Sequence, residues 1–148
     1  MNYTDMMIQV ATSFFGTLGF GFLFNIRGWK LLFAALGGML SWGLFLVLGF
    51  FIDSEALRYF IVAVCSTAYS EGLARILKTP ASTFSIISLI PLVPGGALYD
   101  ATTMALARDT QFLNRAIHTI ELSVALSLGI VVVTAVSKHI LNPKKRMV

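Results

Sequence analysis

Charge is scarce in this chain. Only 12% of its 148 residues are Asp, Glu, Lys or Arg, against 57% hydrophobic residues and a mean hydropathy of +0.82. A soluble domain of this size must cover its surface with polar side chains, so the composition excludes one. Cysteine is nearly absent. Cys65 stands alone, so no internal disulfide can form, and a lone thiol in an apolar segment is expected to be a buried packing residue. The two histidines, His118 and His139, fall at opposite ends of one segment and cannot share a metal. H-E-x-x-H, G-x-S-x-G, a Walker A loop and cysteine–histidine metal spacings are all missing. Neither an enzyme nor a metal or other cofactor is expected. The net charge of +4 comes from basic residues at segment ends, where they orient membrane spans; lipid, not nucleic acid, is the partner it implies.

What the chain does have is apolar runs of about 20 residues along its whole length, the length a bilayer requires. The expected fold is all-α, one transmembrane domain over 1–148, a bundle of five helices at about 6–26, 31–52, 57–77, 81–106 and 117–137. The first run follows Asp5 and precedes Arg27 and Lys30, the reverse of a secretory signal, so it is expected to be a mature span. With the N-terminus outside, five crossings put Arg27, Lys30, Arg75, Lys78, Lys138, Lys144, Lys145 and Arg146 in the cytoplasm and Arg58, Arg108 and Arg115 outside. The positive-inside rule favours that arrangement over a re-entrant fourth segment. An odd number of spans means that a related five-span unit would start from the opposite side, the layout of inverted-repeat transporters. Gly16, Gly19 and Gly21, and the pairs Ala34/Gly38 and Gly37/Ser41, read as close-packing positions.

The fourth segment contains "SLIPLVPGGALYDATTM". Pro91 and Pro94 should leave the carbonyls of Ile87 and Ile90 without helical partners, and Gly95 and Gly96 allow unusual backbone and close approach. Such backbone survives in hydrocarbon only against protein or water. The favoured reading is therefore a helix broken over Pro91 to Gly96 that lines a site; a kink that merely shapes the bundle is the alternative. Ser82, Ser85 and Ser88 lead to the break, and Tyr99, Asp100, Thr102 and Thr103 follow it. A helix restarting near Ala97 would aim free N–H groups at a carboxylate, while unpaired carbonyls before the break suit an ammonium group. Pro91, Pro94, Gly95, Gly96, Tyr99, Asp100 and Ser88 are thus candidate substrate contacts. Asp100, Glu121, His118 and Glu71 are candidates for proton coupling. Glu71 reads more simply as an i, i+4 ion pair with Arg75, and for His118 and Glu121 a hydrated interfacial position stays open beside a relay.

"IPLVPGGALYDATTMAL" resembles the Ile-Pro-x-x-Pro-Gly-x-x-x-Tyr signature of the threonine/serine exporter family, in its C-terminal half. "GFGFLFNIRGWKLL", with Asn25, and the Arg75…Pro80 pattern are similar as well, so the resemblance spans most of the chain. It implies secondary export of small hydrophilic metabolites across the bacterial inner membrane, proton-driven, with a companion subunit supplying five further spans. Pro94, Gly95 and Tyr99 carry over as site residues directly; Pro91 and Asn25 follow them. Relatives export threonine and serine or dicarboxylates such as succinate. Asp100, outside the signature, argues for a zwitterionic amino acid. A homo-oligomeric channel and a purely structural membrane subunit are the rival readings.

Overall fold

A computed structural model describes residues 2–141; Lys144, Lys145 and Arg146, which weigh in the orientation argument, lie outside the described residues. Six α-helices and no strand are present among them. They are α1 (Tyr3–Leu23), α2 (Trp29–Leu48), α3 (Glu55–Ile76), α4 (Ala81–Leu89), α5 (Gly95–Leu106) and α6 (Phe112–Leu141), with a 3₁₀ turn at Ile90–Leu92 between α4 and α5. By length and composition α1, α2 and α6 can each cross a membrane, and α4 with α5 makes a fourth crossing if the pair, bent by 54°, is one span. At 22 residues α3 has the length but carries Glu55, Arg58, Glu71 and Arg75. Its polar residues Ser66, Thr67 and Ser70 are buried inside the protein.

Three helices end in the same way. After α1, Asn25 has φ 56°, and the N–H groups of Asn25 and Ile26 donate to the carbonyls of Phe22 and Gly21. Lys78 and Arg108 repeat the pattern after α3 and α5, with φ of 47° and 53°. These are Schellman caps in which a non-glycine residue takes the left-handed conformation. Asn tolerates that region, and Lys or Arg there sets a positive charge at the negative end of the helix dipole.

Packing orders the helices. The largest contact is α3 on α6, then α1 on α2; α4 lies against both α2 and α3, and α5 packs chiefly on α6. Small residues allow these approaches. A side chain at Gly38 would run into Thr17 of α1, and one at Gly37 into Ser88 of α4 and Tyr69 of α3. At Gly129 an added Cβ would come within 2.6 Å of the Cβ of Ala63 and 2.8 Å of the Phe60 carbonyl. The expected small-residue seams of α2 are therefore real contacts, whereas Gly16 and Gly19 face open space. Two apolar clusters hold the bundle: Ile26, Leu31, Ala34, Ala74, Phe84 and Ile87 in one, and Phe45, Tyr59, Val62, Leu89, Leu92 and Leu122 in the other. Cys65 departs from expectation: it is exposed, at the side of a groove between α2 and α3 that Leu40 and Leu44 also line.

Candidate functional site

The break is shorter than the prolines and glycines suggest. Pro91 cannot donate to the Ile87 carbonyl, but the N–H of Ile90 does so instead. Likewise Val93 N–H donates to the Ile90 carbonyl that Pro94 leaves free, at 3.2 Å. Tightening to i, i+3 bonds thus satisfies both acceptors, which corrects the expectation of unpaired carbonyls facing a cation. Regular helix resumes at Gly95 rather than near Ala97, and neither Gly95 nor Gly96 has positive φ. The non-helical stretch is Ile90 to Pro94.

On the far side the opportunity for an anion remains. Pro94 gives α5 no side-chain cap; Leu98 N–H bonds the Pro94 carbonyl, while those of Gly96 and Ala97 find no backbone acceptor among the described residues. Gly95 and Gly96 are exposed, with nothing within 4 Å of where a Cβ would be, so the approach to these N–H groups is open. Starting at Gly95 also moves Asp100 from the first helical turn to the second, with no acidic residue left in the first. Asp100 then sits about 6 Å above Gly96 on the same face. Tyr99 (70% exposed), Asp100, Thr102 and Thr103 share the exposed surface of α5 with the two glycines. Both threonine hydroxyls donate to the Tyr99 carbonyl, at 2.8 and 2.9 Å, and so turn lone pairs outward. Nothing among the described residues covers this polar face.

Other expected contacts lie elsewhere. Ser88 is fully buried against α2, with its hydroxyl 3.4 Å from the Ala34 carbonyl, whereas Ser82 is exposed; the serines do not form one open path to the break. Asn25 lies in the α1–α2 turn, where its Oδ1 accepts from Arg27 Nε at 3.1 Å. Pro91 is half-buried and Pro94 is the residue before α5.

The ionisable candidates form two groups along the α3–α6 seam. Near one end, His118 Nε2 is 3.1 Å from Glu55 Oε2 and its Nδ1 is 3.7 Å from Glu121. Near the other, Ser137 donates to Glu71 at 2.9 Å and accepts from Arg75 at 2.8 Å, while Arg75 and Glu71 are 3.7 Å apart. The Glu71–Arg75 pair is thus present, with a bridging hydroxyl. Glu55 and Ser137 were missed from the sequence. α3 and α6 run parallel, start beside start and end beside end, so residues near like ends of the two segments were the signal for both.

Comparison with known proteins agrees with the motif. No curated protein and no solved structure matches the chain. The profile of the family described as "Threonine/Serine exporter, ThrE" matches residues 9–136, which takes in α2 to α5, the break and the Tyr99–Asp100 face. With most of its length matched, this apolar helical chain belongs to the threonine/serine exporter family.

Proposed function

We propose that this chain is one half of a secondary exporter of threonine- or serine-like amino acids in the bacterial inner membrane. The observation that carries the reading is the uncovered polar face of α5. An aspartate and the free N–H groups of Gly96 and Ala97 are costly against lipid, so another protein surface or a water-filled cavity must meet them. A companion of five spans in the inverted orientation would close that cavity. Five crossings, N-terminus outside and C-terminus inside, fit α3 as a span whose polar residues are shielded by α2, α4 and α6.

In this reading the substrate carboxylate meets the N-terminus of α5, and Tyr99 is placed to donate a hydrogen bond. A carboxylate there would lie roughly 9 Å from Asp100, where two like charges repel by about 2 kcal/mol at an effective dielectric of about 20. A dicarboxylate brings a second such charge, while an ammonium group in its place is attracted. Zwitterions are therefore preferred. Protons enter through His118 with Glu55 and Glu121, or through Asp100 itself.

Efflux of threonine, serine and succinate from cells, measured with the wild type and Asp100→Asn, tests the proposal. The wild type should export the amino acids, and Asp100→Asn should narrow their advantage over succinate. Export of succinate alone by the wild type would overturn it.

A further inference from the structure

A second polar surface lies between α1, α2 and the break itself. An open-sided groove of about 320 Å³ is lined by Gln9, Thr12 and Ser13 of α1, Trp42 of α2 and Pro91. Its volume is at the small end of the range for ligand pockets, about 300–1,000 Å³. Its walls lie in the middle part of their spans by helical rise: Ser13 is the midpoint of α1, Trp42 and Pro91 are within about 5 Å of the midpoints of theirs, and Gln9 is about 6 Å from that of α1.

The groove has no charged side chain, yet it is not apolar. Thr12 donates to the carbonyls of Ile8 and Gln9 and Ser13 to that of Val10, so both hydroxyls turn acceptor lone pairs outward. The half-buried carboxamide of Gln9 makes no hydrogen bond among the described residues, nor does the indole N–H of Trp42. Within a membrane span an unpaired amide is expensive unless something binds it. Trp42 is held in place by stacking on Phe45, ring centroids 5.4 Å apart. The groove therefore offers an amide that gives and accepts, an N–H that gives, and hydroxyls that accept, and it repays no ion for lost water. A neutral group that both donates and accepts is its complement.

The geometry points to this groove as the place where the hydroxyl of a threonine- or serine-like substrate is recognised, with Gln9 as the specificity-determining residue. The inference rests on the exporter reading and adds to it a surface outside the family's proline-glycine signature.

Two measurements test it, both on the full chain in its native membrane. In a Cys65→Ser background, which removes the exposed thiol, Gln9→Cys and Thr12→Cys are treated with N-ethylmaleimide in permeabilised vesicles. Both should react, since the inference requires water to reach this open-sided groove, and saturating threonine should slow the reaction several-fold. Failure to react, as when lipid or a companion helix fills the groove, or reaction that threonine does not slow, overturns the inference. Separately, Gln9→Leu should reduce the preference for threonine over alanine by about three- to tenfold, the worth of one hydrogen bond. An unchanged preference in a variant that still exports also overturns it. A wild type that exports threonine while either test fails removes only this inference; a wild type that exports neither hydroxy amino acid removes both readings.

Discussion

Glu55 on α3 and His118 on α6 meet at 3.1 Å, carboxylate oxygen to imidazole nitrogen, across 63 positions of sequence. Both side chains are more than a third exposed, so the pair stabilises the fold by no more than about 1 kcal/mol. In the proposed exporter its value lies in proton transfer. Glu55→Gln and His118→Gln should each leave the unfolding midpoint nearly unchanged, yet lower proton-driven export by more than about tenfold. The double variant should be no worse than either single one, because both remove the same interaction. Undiminished export in Glu55→Gln would make the contact structural.

At Gly129 the same two helices approach closely. A methyl group there meets the Phe60 carbonyl at 2.8 Å, and backbone cannot turn aside as a side chain can. Gly129→Ala should destabilise by about 1–3 kcal/mol. The check is thermal unfolding in detergent, compared with Gly72→Ala, whose site has nothing within 4 Å.

Gly95 separates packing from function. Its Cβ position is empty and its φ is not positive, so Gly95→Ala should fold as well as the wild type. Gly95→Leu should insert normally and lose export, because the side chain would stand over the free N–H groups of α5. Normal export in Gly95→Leu would show that no ligand approaches there.

Asn25 combines an expected contact role with a left-handed backbone at φ 56°. Asn25→Gly should keep or raise stability, whereas Asn25→Val should lose about 1–2 kcal/mol. Export by a stable Asn25→Gly variant reports on the side chain alone: full activity confines Asn25 to capping, and loss of activity keeps it among the site residues.

Much of this architecture was legible in the sequence. Apolar runs placed every helix within a few residues, and Pro91 and Pro94 placed the break. The extent of the break was not legible, because proline removes a donor without revealing which neighbour replaces it; Ile90 and Val93 do so here through tighter turns. Glycines at the start of α5 were read as irregular backbone, although the first turn of a helix accepts them readily. Burial of Ser88 and exposure of Cys65 depend on which face of a nearly uniform apolar helix meets its neighbours, and that periodicity is weak when lipid and core are equally apolar. The groove at Gln9 brings together three segments distant in sequence, so no local pattern could announce it.

The two halves of the broken span answer to different neighbours: α4 is gripped by α2 and α3, while α5 hangs on α6. That makes Ile90 to Pro94 a joint and α5 a lever of about 18 Å, for which ten degrees of rotation carries the far end about 3 Å. The seam between α3 and α6, close at Gly129 and tied near both ends, anchors the helix on which that lever rests.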